Sequence, residues 1–277
     1  MAQDALSILT TGATKDKLAE IRGAIIDAIR AKCVSTLIKN NDYSGDPTSG
    51  SVTFDRFKDA ELNNYGTARG ANKGTALKNS GKVILNIDTD KEIVEELEAK
   101  DITLSGINGL LNRRTASHAG RVAAFLDKEF FRVAEAAATA VTITPTVTAI
   151  EEKVEELIAK AETVSNDWVD GVDRSELVIT CSPKGYGKLR NLVDKIPGND
   201  GSKAEAIELF HGVRVINTVR QTADIMIQRI GSVGQLALVN DYDAEKIPLS
   251  NAYALSLFVN TGAKAVTPDL IFKVATL

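Results

Sequence analysis

Apolar residues near the start of the chain follow a helical spacing. Between Lys15 and Ile38 they recur every three or four positions, as Leu18, Ile21, Ile25, Ile29, Cys33 and Leu37. This stripe is typical of an amphipathic helix that buries one face. The following segment, Asn40 to Gly50, is rich in Asn, Asp, Ser, Pro and Gly, which favour turns. We therefore expect the helix to end before it.

Residues 51–90 predict two extended stretches on either side of a polar tip. Apolar and polar residues alternate from Lys82 to Asp88, which predicts a strand, and Ser51 to Phe57 predicts a weaker one. Between them, Asn63 to Gly74 has almost no side chains that form a core. Connections in compact domains are typically about 4 to 6 residues long. We therefore expect a projecting arm that becomes ordered against a partner surface.

The middle of the chain alternates between helix and strand patterns. A long helical run over Ser105 to Ala140 has a polar middle from Arg113 to Arg121, so we expect part of it to bend or to lie across a surface. A capping box at Thr148 to Glu151 predicts the start of the next helix. A strand over Glu176 to Cys181 then leads into a helix that Ser182 and Pro183 begin.

The same alternation continues with a predicted helix over Lys203 to Phe210 and strands over Val213 to Val219 and Ala223 to Ile230. Residues 141–240 are therefore predicted to form one α/β domain. Strands predicted over 235–239, 255–259 and 270–274 follow it.

The amino-acid composition mainly excludes classes of function. The 277 residues include 33 Lys and Arg against 37 Asp and Glu, a net charge of −4 that gives no strong field to attract nucleic acid or a membrane. The chain has only two His, two Cys, two Met and one Trp, which leaves few side chains for catalysis. We expect neither a signal segment nor a membrane span.

Candidate chemistry along the chain is incomplete everywhere. The stretch from Ser182 to Lys188 imitates a phosphate-binding loop, but Ser182 occupies the place of the first glycine and Leu189 that of the hydroxyl residue that binds magnesium. The two cysteines and two histidines have no metal-ligand spacing. The acidic runs Lys91 to Glu98 and Glu151 to Glu156 are predicted to be solvated helix faces. No catalytic, cofactor-binding or metal-binding residue is predicted.

Basic residues occur in two sets without the interleaved aromatics of a nucleic-acid binder. Arg113 and Arg114 lie in the long helical run, and Arg69 and Lys73 lie at the tip of the arm. We expect them to contact either acidic patches on neighbouring chains or water, and the first of these favours self-association.

The order of these parts resembles the major capsid protein of tailed bacteriophages over nearly the whole chain. Ser51 to Glu92 is similar to that family's extended loop, and Phe258 to Ile271 is similar to its C-terminal strand pair. The resemblance implies an α+β capsid fold with an N-terminal arm (1–45), an extended loop (46–91), a peripheral domain with a spine helix (92–140 and 245–277) and an axial domain (141–244).

The resemblance also implies a function. The chain is expected to be a structural protein rather than an enzyme, without cofactors, that forms pentamers and hexamers of an icosahedral virion shell in the host cytoplasm. Expected partners are a scaffolding protein, a portal protein and packaged double-stranded DNA, contacted non-specifically by a slightly negative wall. The expected assembly contacts are Phe54, Phe57, Tyr65, Arg69, Lys73, Arg113 and Arg114. The alternatives are an encapsulin-type nanocompartment shell and a phosphate-binding α/β enzyme that uses Ser182 to Lys188.

Overall fold

The computed structural model describes residues 12–58, 60, 62–71, 74, 81–98, 106–143, 149–193 and 207–274. Its helices are α1 (Gly12–Lys32), α2 (Thr67–Ala71), α3 (Gly106–Ala137), α4 (Ile150–Glu162) and α5 (Pro183–Val193). Its strands are β1 (Ser51–Arg56), β2 (Gly81–Asn86), β3 (Thr89–Leu97), β4 (Thr139–Val141), β5 (Ser165–Asn166), β6 (Val169–Asp170), β7 (Leu177–Cys181), β8 (Leu209–Phe210), β9 (Val213–Asn217), β10 (Ile225–Arg229), β11 (Val233–Lys246), β12 (Tyr253–Ala265) and β13 (Ile271–Val274).

The chain divides into two units, each built from several separate segments. Unit 1 consists of residues 1–37, 86–130 and 235–263, and unit 2 consists of residues 38–85, 131–234 and 264–277. Helix α3 and strands β11 and β12 contribute residues to both units.

Unit 1 is built on a sheet with the strand order β11-β12-β3. Strands β12 and β3 are antiparallel and pair from Tyr253 opposite Leu97 to Thr261 opposite Thr89. Alternate residues of β12, beginning with Tyr253, are buried against apolar residues of α1 and α3. One face of the sheet is therefore covered by helices, as expected for an antiparallel sheet with a single buried face.

The end of α1 is fixed by a carboxylate from α3. Asp127 accepts hydrogen bonds from the backbone N–H groups of Val34 at 3.1 Å and Ser35 at 2.9 Å. These N–H groups lie at the start of the short 3-10 helix Ser35–Leu37 that follows Lys32, and the first backbone donors of a helix lack partners within it. The predicted helix therefore exists but ends six residues before Ile38.

Unit 2 is built on a mixed sheet with the strand order β4-β13-β10-β7-β9-β8. Strands β7 and β9 are parallel, as are β13 and β4, whereas β10 is antiparallel to both of its neighbours. Apolar residues of α4 and α5 pack on one face of this sheet. Strands β1 and β2 form a separate two-stranded sheet, which is the base of the predicted arm.

The long helical run is one uninterrupted helix of 32 residues, about 48 Å long at 1.5 Å per residue. Its polar middle does not break it. The inward-facing polar groups there, on Arg114 and His118, find partners on β3 and β11, and Arg113 is exposed.

Three sequence predictions are wrong. Residues 91–98 do not form a solvated helix face, because Ile93, Glu95 and Leu97 of β3 alternate inward and pair with β12. The helix α4 begins one residue later than the capping box requires, with Ala149 at the N-cap position and no side-chain capping bond; Thr148 lies outside the described residues.

The third error concerns Lys203 to Phe210, of which residues 203–206 lie outside the description. Leu209 and Phe210 form β8, which pairs with β9 across the two-residue turn His211-Gly212. Both turn residues have positive φ angles, 50° and 82°. Positive φ angles at both positions are typical of a tight β-hairpin turn. Gly212 was the residue in the sequence that could have predicted this turn.

Candidate assembly surfaces and polar clusters

The residues predicted as contacts of the arm differ in exposure. Phe57 and Tyr65 are 64% and 97% exposed, and Arg69 is exposed on α2. Sequence reasoning missed Leu62, which is 103% exposed in the same segment. Lys73 lies outside the described residues. The arm therefore presents large apolar side chains that its own unit does not bury.

Phe54, by contrast, is a core residue of unit 2 and is 0% exposed. Its ring lies so close to Gly234 that a Cβ atom added to that glycine would be 2.5 Å from Cζ of Phe54. Tyr43 contacts the same ring edge to face, with the centroids 6.0 Å apart. Phe54 is therefore not available as an anchor for another subunit.

The base of the arm is held by a group of side chains that we call the Trp168 clamp: Arg56, Lys58, Asp167 and Trp168. The Arg56 guanidinium lies 4.6 Å and the Lys58 ammonium 5.2 Å from the centre of the indole ring. Lys58 also lies 2.6 Å from the Asp167 carboxylate. Two cations this close to the indole ring form cation–π contacts that connect the end of β1 to the β5–β6 hairpin.

Asp269 contacts the Trp168 clamp through Arg56. Its carboxylate forms an ion pair with Arg56 and accepts a 2.8 Å hydrogen bond from the Asn166 side chain. Burial alone would raise the pKa of Asp269, but the hydrogen bonds from Arg56 and Asn166 lower it below its ordinary value. Asp269 is therefore ionised at neutral pH and orients Arg56.

Unit 1 contains a buried polar cluster formed by Glu95, Arg114, His118 and Tyr242. Arg114 Nε donates to Glu95 Oε2 at 2.6 Å, and His118 Nε2 lies 2.9 Å from the same oxygen. His118 is 2% exposed, and its Nδ1 lies 3.2 Å from the Tyr242 hydroxyl. Burial, together with the charge of Arg114, lowers the pKa of His118, so its ring is neutral at pH 7. Burial likewise raises the pKa of Tyr242.

This cluster changes the interpretation of the two arginines. Arg114 forms an ion pair with Glu95 in its own unit and is partly buried, so its charge is already paired within the subunit. Arg113 remains exposed to solvent.

A second polar cluster, formed by Glu155, Glu162, Arg174 and His211, lies in unit 2. Arg174 donates to Glu162 at 2.6 Å and to Glu155 at 2.8 Å, and His211 Nδ1 lies 2.6 Å from Glu155. Hydrogen bonds from Arg174 lower the pKa of Glu162. Burial alone would raise the pKa of Glu155, but Arg174 and His211 lower it. These bonds join α4 to the β8–β9 turn.

The stretch from Ser182 to Lys188 is a helix start rather than a phosphate cradle. Ser182 Oγ accepts a 3.2 Å hydrogen bond from the Gly185 N–H, which confirms the predicted cap. The Asp224 carboxylate lies 3.2 Å from Lys184 and 3.3 Å from Lys188. The Asp224 carboxylate thus pairs with both lysines that a phosphate would need, which argues against a phosphate site at this position.

Two further observations concern reactive and metal-binding groups. Cys181 is fully buried, and burial raises the pKa of its thiol to about 12, so it is no nucleophile at neutral pH. Among the residues that the structure describes, there is no group of three or more His, Cys, Asp or Glu that could hold a metal ion. None of the described helices is long and apolar enough to span a membrane.

Comparison with known proteins gives matches by structure only. No family model matches the sequence. No curated protein matches it either.

Several solved structures share the fold over most of their length. A chain from the capsid structure of the cyanophage P-SCSP1u aligns with a TM-score of 0.59 and 11% identity, covering 86% of this chain and 85% of that chain. A chain of the mature capsid of bacteriophage PhiM1 aligns at 0.54 with 15% identity, covering 82% and 83%.

The virus-like particle from Pyrococcus furiosus also aligns at 0.54, with 13% identity, covering 92% of this chain and 98% of that chain. Identities this low show the fold alone. The alignments with the two phage capsid chains nevertheless cover more than four fifths of both partners, so the likeness is not restricted to one of the two units. The chain therefore has the α+β fold of the major capsid proteins of tailed bacteriophages.

Proposed function

We propose that this chain is a major capsid protein, the structural subunit of an icosahedral virion shell that forms pentamers and hexamers around double-stranded DNA. The observation that carries the proposal is the alignment with phage capsid chains over more than four fifths of both partners. A fold match restricted to one domain would not carry it, because one fold hosts many functions.

The exposed side chains of the arm support self-assembly. Phe57, Leu62 and Tyr65 lie within nine residues of each other and are all exposed. Fully burying one such side chain stabilises a complex by about 1.5 to 3 kcal/mol. Many modest contacts of this kind, repeated over identical subunits, are sufficient to hold a closed symmetric shell together. We assign the contacts to Phe57, Tyr65, Arg69, Lys73 and Arg113, and we drop Phe54 and Arg114.

We also propose the domain assignment implied by the resemblance, with one revision. The N-terminal arm (1–45), extended loop (46–91), spine-helix region (92–140) and axial domain (141–244) are proposed with the boundaries that the resemblance implies, whereas the two compact units divide the chain at other positions, such as after Phe130 and after Gly234. The end of the peripheral segment 245–277 is assigned differently, because β13 pairs with β10 in the sheet of unit 2. Residues 264–277 then belong with the axial domain.

The remaining parts of the proposal concern partners. A portal protein, a scaffolding protein and packaged DNA follow from a shell of this kind, and assembly would take place in the host cytoplasm. The chain would contact DNA weakly and without sequence specificity, since its net charge of −4 repels phosphates overall.

A second candidate function is an encapsulin-type nanocompartment shell. The specific observation in its favour is coverage, since the alignment with the Pyrococcus furiosus particle includes 98% of that chain and 92% of this one. The higher TM-score of the cyanophage capsid favours the virion shell.

The test is to purify the chain and examine it by negative-stain microscopy and light scattering, alone and with a candidate scaffolding protein. We expect hollow particles or rings of five or six subunits. A strict monomer under all conditions would contradict both shell functions. Particles that close without a scaffold and enclose protein instead of DNA would favour the nanocompartment.

A further inference from the structure

The hairpin formed by β11 and β12 ends in a tight turn that we call the Leu249 tip, residues 247–252. At its base the Ile247 N–H donates to the carbonyl of Ala252 at 3.0 Å. The two strands are 14 and 13 residues long, and side-chain bonds such as Asn240 to Asn260 at 2.8 Å tie them together. The tip is therefore carried on a well-supported element.

The turn requires a backbone conformation that leucine rarely adopts. The Ser250 N–H donates to the carbonyl of Ile247 at 3.2 Å, which closes a four-residue turn with Pro248 and Leu249 at its centre. Pro248 excludes a positive φ at the first central position, and Leu249 has a φ of 60° at the second. This is the pattern of a type II turn, whose second central residue is normally Gly or Asn. A Cβ atom at this φ strains the backbone.

The leucine side chain gains nothing in return within its own subunit. It is 109% exposed, so its apolar surface remains in water. A glycine here would relieve the strain, and a polar residue would be better solvated. Strained backbone of this kind persists mainly at functional positions. Leu249 thus carries two unfavourable features that folding does not explain.

We propose that Leu249 is a docking residue that inserts into an apolar recess on a second copy of this chain. The inference rests on the proposed shell function, in which every copy presents the same tip and the same exposed surfaces to its neighbours. Residues 247–252 carry no charged side chain, so the matching surface is apolar rather than ionic. The described part of the chain exposes apolar side chains that a second copy offers, among them Val94, Val219 and Phe258.

The substitution Leu249→Gly separates docking from folding because its two effects have opposite signs. Relief of strain should raise the melting temperature of the dissociated subunit by about 2 to 4 °C. Loss of the buried side chain should raise the concentration needed for particle formation by about tenfold. Differential scanning fluorimetry and sedimentation of assembly reactions measure the two effects.

Two further variants make the test specific. Leu249→Asn introduces a polar residue that tolerates the left-handed backbone. This variant should assemble as poorly as the glycine variant, and its dissociated subunit should melt at a temperature no lower than that of wild type. Leu249→Met keeps both the strain and the apolar side chain and should behave like wild type.

The proposal is overturned if the glycine variant assembles at the wild-type concentration, or if its dissociated subunit melts at a lower temperature. If wild type forms no particles at all, the shell function fails and the docking proposal fails with it. If wild type assembles and the glycine variant assembles equally well, only the docking proposal fails.

Discussion

His118 is the clearest case of a single residue whose surroundings decide its behaviour. The groups that face it are Glu95 on β3, Arg114 on its own helix and Tyr242 on β11. Burial and the nearby guanidinium disfavour the imidazolium, although a carboxylate lies 2.9 Å away. The histidine is thus a neutral core residue that completes a polar cluster, and this explains why a helix with a polar middle is stable.

This environment predicts how stability depends on pH. The folded-state pKa of His118 lies below its ordinary value of 6.5, so the unfolded chain binds more protons as the pH falls below 6.5. The His118 contribution is fully present above pH 6.5 and is lost as the pH falls towards the folded-state pKa. Urea unfolding of wild type between pH 5 and 7.5 should show this loss.

The control for this prediction is His118→Gln, which cannot titrate. It should be less stable than wild type at pH 7 by about 1 to 3 kcal/mol, because it disturbs a buried polar cluster. Its free energy of unfolding should change less between pH 5 and 6.5 than that of wild type. If the free energy of unfolding depends on pH equally in the two proteins, the protons taken up on unfolding do not bind to His118.

At the scale of elements, helix α5 shows how one glycine fixes the position of a helix. A Cβ atom on Gly185 would lie 1.9 Å from the backbone oxygen of Asp224, so only glycine allows this close approach. Gly187, two residues on in the same helix, has nothing within 4 Å of the corresponding position. The two glycines that imitated a phosphate-binding loop therefore have different roles, and neither role involves a ligand.

The pair gives a matched stability prediction. Gly185→Ala should destabilise the protein by about 2 to 3 kcal/mol, because backbone must move to make room for the methyl group. Gly187→Ala should be neutral or stabilise by up to about 1 kcal/mol, since alanine favours helix. Chemical denaturation of both variants measures the difference. Equal effects on stability would contradict the proposed contact with Asp224.

Local sequence patterns predicted those elements that carry a clear alternation of apolar and polar residues or a capping residue of their own. The strand over Leu177–Cys181, the helix after Ser182 and the arm strands β1 and β2 were predicted close to their observed bounds. Strand β3 was not, because its run of glutamates is typical of a solvated helix and only pairing with β12 makes it a strand. The Trp168 clamp could not be predicted, since its partners lie more than 100 residues apart in the sequence.

For the molecule as a whole, the decisive distinction is between side chains that hold a subunit together and those that can join subunits. Phe54 and Phe57 are three residues apart on the same arm, yet one is fully buried and the other is 64% exposed. Sequence reasoning could not separate them, because both are single aromatics in a polar segment. Their difference in burial does separate them: Phe54 stabilises the fold, and Phe57 is available for the proposed assembly.

The two phenylalanines should therefore give opposite results. Phe54→Ala should lower the free energy of unfolding of the isolated subunit by about 3 to 5 kcal/mol. The double variant Phe57→Ala, Tyr65→Ala should leave that free energy within about 0.5 kcal/mol of wild type but reduce the yield of particles. Urea titration and light scattering provide the two measurements. Undiminished assembly of the double variant would rule out these residues as contacts.

The clamp at the base of the arm has an optical consequence. Trp168 is the single tryptophan of the chain, and its indole ring lies beside two cations, of which Lys58 is paired with the Asp167 carboxylate. Nearly all intrinsic fluorescence excited at long ultraviolet wavelengths therefore comes from this one position. Any change in how the base of the arm contacts the β5–β6 hairpin alters the charges around the ring and shifts its emission. The protein thus carries its own label for following the arm in real time, without chemical modification.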